Sequence, residues 1–179
     1  GGSCAHADPS SDWPAVLIAT RATLVCRSVK GDREIAARDF FIDSFQTAIE
    51  PDELLVEIRI PTPAPGTASV YRKLERRAGD FATVGVAVQL HLGSDGRIDQ
   101  AGIGLTAVAE TPFAATKAEG QLVGAHPGPA IFRQAAEAAA EQSRPAEDRH
   151  GPVDYKRAMV TEMTIRALTA AAARLQATA

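Results

Sequence analysis

Between residues 61 and 66 the chain reads Pro61-Thr62-Pro63-Ala64-Pro65-Gly66. Neither a helix nor a central strand runs through such a stretch, because each proline fixes φ and removes an N–H donor. Three prolines and a glycine in six residues mark a domain boundary or a long turn. We therefore expect one unit over residues 1–61 and another over 62–179. The 179 residues suffice for one large or two small domains, and the 45% of hydrophobic residues can fill their cores.

The first unit opens on Gly1-Gly2-Ser3, followed by Cys4-Ala5-His6-Ala7 and the turn residues Asp8-Pro9-Ser10-Ser11. Asp12 stands where a helix should start, and Trp13 and Pro14 suit its first turn. Ala15 to Ala19 form its apolar body. A glycine pair lets bare backbone come close to a ligand. Free N–H groups near a helix N-terminus can cradle an anion, although an ordinary loop before an ordinary helix uses the same residues. Next, 22–28 and 33–37 read as a hairpin around Gly31-Asp32. Residues 38–42 read as a helical turn, and 54–60 as a half-buried strand.

Beyond the proline run the pattern changes. Residues 69–74 and 81–92 read as strands, and 98–108 pairs with the second as a hairpin. The small residues Gly85, Ala87, Gly102 and Gly104 require something to pack closely on that sheet, either a helix or a ligand. Three helices follow, over 114–123, 129–142 and 154–177. The second starts with Pro129 in a favourable first-turn position. Sheet followed by a run of helices is an α+β pattern.

The net charge of -3 offers no basic face for nucleic acid, and no segment approaches a membrane span. Two cysteines, Cys4 and Cys26, make neither a disulfide framework nor a metal cluster. The histidines His6, His91, His126 and His150 have no ligand spacing. We expect a reduced, cytoplasmic protein with no metal site in this chain.

Three stretches carry a family resemblance. Gly1-Gly2-Ser3-x-Ala5-His6-Ala7-Asp8-Pro9-x-Ser11-Asp12 resembles the second flavin-binding segment of the FAD-binding medium subunit of molybdenum hydroxylases, the family of carbon monoxide dehydrogenase and xanthine dehydrogenase. Tyr71-x-Lys73, with Arg76-Arg77-x-Gly79-Asp80-Phe81-Ala82-x-Val84-Gly85, is similar to that family's C-terminal domain. So is Asp154-Tyr155-Lys156-Arg157, leading into Arg166-Ala167-Leu168. The resemblance covers essentially the whole chain. It implies the second FAD-binding subdomain, of the vanillyl-alcohol-oxidase type, over residues 1–61. A C-terminal domain with a small antiparallel sheet on a helical bundle then fills 62–179.

The resemblance also implies FAD as cofactor, with the molybdenum cofactor and iron–sulfur clusters on partner subunits. The partners are a molybdopterin large subunit and an iron–sulfur small subunit, in a possible dimer of heterotrimers. No residue of this chain is then catalytic, and its work is to hold and tune FAD. Gly1, Gly2 and Ser3 match the turn on the FAD diphosphate. Asp12 matches a residue at the flavin nucleotide and also suits a helix cap. The stretch that matches His6 faces the flavin, and Leu55 matches a strand laid against the adenine side. Lys73 matches a lysine at the flavin ring, where a cation favours the reduced, anionic form. Phe81 matches an aromatic position near that ring. Each also has a plain role: a tight turn, a surface or core histidine, core leucine and phenylalanine, a solvated strand lysine. The family's first flavin loop would precede Gly1, so this chain alone is expected to be inactive. The competing reading is a structural or assembly module that docks on partner subunits without cofactor.

Overall fold

The computed structural model describes residues 1–177. The chain opens on a short helix, α1 (Gly2–His6), and a second helix, α2 (Asp12–Ala19). A hairpin follows, β1 (Thr23–Ser28) and β2 (Gly31–Ala36), then a single helical turn, α3 (Ala37–Phe40). A two-stranded ribbon comes next, β3 (Phe41–Asp43) with β4 (Gln46–Thr47), and then β5 (Leu54–Arg59). Strand β5 pairs antiparallel with the free side of β1, giving the order β2-β1-β5. Gly31, at φ +125°, turns the hairpin in a conformation that favours glycine.

After the proline strap, β6 (Thr67–Leu74), β7 (Val84–Leu92), β8 (Ile98–Thr106) and β9 (Phe113–Ala114) form an antiparallel sheet in chain order. Three helices complete the chain: α4 (Thr116–Leu122), α5 (Pro129–Gln142) and α6 (Val153–Ala177). Val70, Val86, Val88, Leu90, Ile103 and Leu105 join Phe132, Val160 and Leu168 in the larger core. A smaller core gathers Cys4, Leu17, Ile18, Leu24, Cys26, Ile35 and Phe40 beside the first sheet.

Helix α2 is apolar on more than one side because it is covered on more than one side. Leu17 and Ile18 enter the smaller core, while Ala15 and Ala19, one turn apart, meet Ala87. A Cβ on Gly102 would lie 2.0 Å from the carbonyl oxygen of Ala19, and one on Gly104 would lie 2.0 Å from that of Ala15. The close packing that the small residues demand is therefore helix α2 laid backbone-to-backbone on β8.

An ion pair ties the same layers together. The Arg38 guanidinium donates to both carboxylate oxygens of Glu119, at 2.9 and 2.6 Å. Glu119 is buried and also accepts the Ile103 N–H at 2.8 Å. Such a group is costly to leave unpaired.

Two expectations need correction. Gly1-Gly2-Ser3 is not an extended turn: Gly1 caps α1, and Gly2 and Ser3 form its first turn. Burial of Cys4 and Ala7 holds this helix despite its glycine. Asp12 does not cap α2 with its side chain, since Ser11 is the N-cap and no side-chain cap bond forms. Among the described residues no helix is long and apolar enough to cross a membrane, and no group of three or more His, Cys, Asp or Glu gathers as a metal site.

Candidate functional site

The site is built where the loop between α1 and α2 meets the open end of the second sheet. The loop is shaped locally by Asp8, whose Oδ1 accepts the Ser10 N–H at 2.8 Å, and by the Ser11 N–H bound to the Asp8 carbonyl at 3.0 Å. Strand β8 then pins it. The Thr106 hydroxyl reaches the carbonyls of Pro9 and Ser11 at 2.7 and 2.8 Å, and the Ala107 N–H donates to Pro9 at 2.8 Å. The Ser3 hydroxyl donates to Ser11 Oγ at 3.2 Å, so α1 is tied to the same loop.

Asp12 leaves this loop aimed at β6. Tyr71 and Lys73 are two residues apart on one strand and so share a face. The Tyr71 hydroxyl donates to Asp12 Oδ1 at 2.6 Å, and Lys73 Nζ donates to Asp12 Oδ2 at 3.1 Å. Glu75 takes a second bond from Lys73, at 3.0 Å. A Cβ on Gly85, the register partner of Lys73, would lie 2.6 Å from the Tyr71 hydroxyl oxygen and 2.5 Å from Thr106 Cγ2. Glycine there leaves room for the hydroxyl. Burial, reinforced by the Asp12 hydrogen bond, pushes the Tyr71 phenol well above its usual range. Burial works against the Lys73 ammonium, but the Glu75 and Asp12 carboxylates outweigh it and hold its pKa above the ordinary value. Lys73 is therefore a charged donor throughout the physiological range. It is not the solvated strand lysine of the plain reading, being only 17% exposed.

A cleft opens over this cluster, lined by Ser3, Ser10, Asp12, Trp13, Lys73 and Phe81. Trp13 and Phe81 are each 58% exposed, which leaves two aromatic side chains uncovered at its edge. Of the residues singled out in the sequence, Ser3, Asp12, Lys73 and Phe81 converge here. Gly1 and Gly2 lie beside it at the exposed start of α1, and a Cβ on either would meet nothing within 4 Å. His6 does not line the cleft. Its ring stands against Phe45, with centroids 5.2 Å apart. Leu55 is on β5, with its side chain packed on the smaller core. Sequence reasoning placed Trp13 only in the first turn of α2, gave Glu75 no role, and quoted Tyr71 only as part of a motif. The two-residue period Tyr71-Lys73-Glu75 was the signal available for two of them.

The donor set suits a phosphorylated, partly aromatic ligand such as FAD. It offers hydroxyls at Ser3 and Ser10, a half-buried ammonium with one N–H left after two carboxylates, and exposed aromatic surface. An open, glycine-flanked backbone stands beside it.

The fold and two family matches together define a flavoprotein subunit of the molybdenum-enzyme type. Residues 1–63 match the FAD binding domain in molybdopterin dehydrogenase, and residues 69–171 match the CO dehydrogenase flavoprotein C-terminal domain. The chain belongs to the family of FAD-binding medium subunits of carbon monoxide dehydrogenase and related molybdenum hydroxylases. It is 40% identical over 174 residues to the carbon monoxide dehydrogenase medium chain of Hydrogenophaga pseudoflava, covering 97% of this chain and 60% of that one. The glyceraldehyde dehydrogenase medium chain of Sulfolobus acidocaldarius is 34% identical, over 93% of this chain and 59% of its own length. Among solved structures, carbon monoxide dehydrogenase from H. pseudoflava superposes with a TM-score of 0.93 at 43% identity, over 97% of this chain and 60% of that one. Quinoline 2-oxidoreductase from Pseudomonas putida 86 superposes with a TM-score of 0.88 at 34% identity, over 98% and 60%. The chain thus spans about three fifths of the length of these relatives.

Proposed function

We propose that the full-length protein holds FAD at this cleft. It passes electrons from iron–sulfur clusters on a small partner subunit, through FAD, to an acceptor. The observation that carries the reading is the convergence of Ser3, Asp12, Lys73 and Phe81 from two separate matched regions on one cleft. In this reading the backbone of Gly1-Gly2-Ser3 takes the diphosphate and Lys73 gives its remaining N–H to the flavin. Phe81 and Trp13 supply apolar contact to the ring. Leu55 contributes to the adenine side through its backbone, a reading supported by β5 pairing only with β1 among the described residues, which leaves its outer edge unpaired. His6 belongs to the adjoining surface with Phe45.

FAD, when bound, supplies the electron chemistry. This chain's residues orient it, exclude water and set the charge beside it. Substrate oxidation falls to a molybdopterin large subunit, and the assembly is a dimer of heterotrimers. Relatives named for carbon monoxide, glyceraldehyde and quinoline share this fold, which supports placing substrate choice on that partner. The two buried, unpaired thiols Cys4 and Cys26 fit a reducing cytoplasm. We divide the chain into flavin-domain residues 1–61 and C-terminal residues 62–179. The competing reading, a cofactor-free docking module, finds no support in a chain whose first third matches an FAD-binding domain.

The visible spectrum of the purified full-length protein tests the reading, with bound flavin expected. Lys73→Ala should lower the flavin potential, because it removes the one ammonium and leaves Asp12 and Glu75 unopposed. A flavin-free protein, or a potential that rises, would count against it.

A further inference from the structure

Lys73 does not act with its full charge. One ammonium faces two carboxylates, so the cluster as a whole is negative. The geometry of those carboxylates is fixed by different means. Asp12 belongs to helix α2 and is held at its other oxygen by the Tyr71 hydroxyl at 2.6 Å. That hydroxyl sits in the space left by Gly85. Glu75 follows directly after β6 and is ion-paired with Lys73; its side chain is 30% exposed, against 42% for Asp12.

We infer that Tyr71 and Glu75 are positioning residues that set how much of the Lys73 charge reaches the flavin. The inference rests on the flavin reading given above. Two carboxylates within about 3 Å of an ammonium screen most of its field. Glu75 screens Lys73 directly. Tyr71 opposes screening, because the positive end of its O–H dipole lies on Asp12 Oδ1 and offsets part of that carboxylate's charge. Neutralising Glu75 therefore exposes positive charge to the flavin, and deleting the Tyr71 hydroxyl hides it. Positive charge favours the reduced, anionic cofactor. The two conservative changes must then move the potential in opposite directions.

A purely structural ion pair between α2 and β6 would behave differently. It would change stability in both variants and leave the potential alone. The test is a spectroscopic redox titration of the full-length flavoprotein and its Glu75→Gln and Tyr71→Phe variants, with thermal unfolding alongside. Glu75→Gln should raise the flavin potential, and Tyr71→Phe should lower it. A tenfold change in the preference for reduced over oxidised flavin reads as ~30 mV for a two-electron couple. Glu75→Gln preserves shape at a partly exposed side chain, so it carries the test even if Tyr71→Phe folds poorly. Flavin present with an unmoved potential in Glu75→Gln overturns this inference alone. A wild-type protein without flavin overturns the functional reading and this inference with it.

Discussion

Replacing Gly104 with alanine tests whether α2 is seated on β8 as closely as the backbone shows. The new Cβ would begin 2.0 Å from the Ala15 carbonyl oxygen and 2.8 Å from its carbon, where ordinary contact starts near 3.4 Å. The obstacle is backbone, which cannot rotate away as a flexible side chain could. Helix α2 must therefore rise by about 1.4 Å, or β8 must sink by as much. Asp12 starts that helix, and its 2.6 Å bond to Tyr71 would not survive such a shift. Overpacking of this kind costs about 1–3 kcal/mol, or roughly 2–12 °C in Tm for a chain of this size. The same substitution at Gly120 is the control. Gly120 lies within α4 with nothing near its would-be Cβ, so alanine should stabilise there by about 0.5–1 kcal/mol. Thermal unfolding of both variants, with flavin content measured on the full-length protein, gives the answer. Equal Tm shifts for Gly104→Ala and Gly120→Ala, or a Gly104→Ala protein with unchanged flavin content, would refute the reasoning.

Two further outcomes are expected. Arg38→Ala leaves the buried Glu119 carboxylate without its bidentate partner and should cost about 3–5 kcal/mol, read by urea unfolding; a loss under 1 kcal/mol would show that Arg21, 3.9 Å away, replaces it. Stability should also fall as the protein is acidified below pH ~4. Burial opposes ionisation of Asp148, but Lys156 and the His150 N–H hold its pKa below the usual value; hydrogen bonds from Arg33 and the Glu50 N–H hold Glu53 at about 2. A depressed carboxylate contributes above its unfolded pKa and loses that contribution as pH falls through its folded one. A melting temperature flat from pH 5 to pH 2 would contradict this.

Much of the fold was legible because long elements carry period and punctuation. Pro129 and the alanine-rich run after it set α5 at Pro129–Gln142. Alternation and turn residues gave β1, β2, β5 and the β7–β8 hairpin. The two- and three-residue strands β3, β4 and β9 carry too little pattern to be read, so the second sheet has four strands where about three were expected. The small residues at 102 and 104 signalled close packing but left helix and ligand equally open; only the tertiary placement of Ala15 and Ala19 decides for the helix. Helix α1 was read as a turn because its glycines suggest one, and burial of Cys4 and Ala7 overrides that preference. In the site, resemblance supplied Asp12 and Lys73, but the roles of Tyr71 and Glu75 depend on Asp12 arriving from 59 residues away along the chain.

The central claim is that the open backbone at Gly1-Gly2-Ser3 receives the FAD diphosphate. Gly2→Val tests it most directly, because a Cβ at Gly2 would meet nothing within 4 Å among the described residues, and the added bulk faces the space assigned to the ligand. Losing two charge-assisted hydrogen bonds at roughly 1.5–3 kcal/mol each weakens binding by about 10²–10⁴. Flavin content of the purified full-length protein, measured beside its Tm, is the readout. The account predicts near-stoichiometric flavin in the wild type and a largely flavin-free Gly2→Val protein that melts at the same temperature. Full flavin content in Gly2→Val would contradict it.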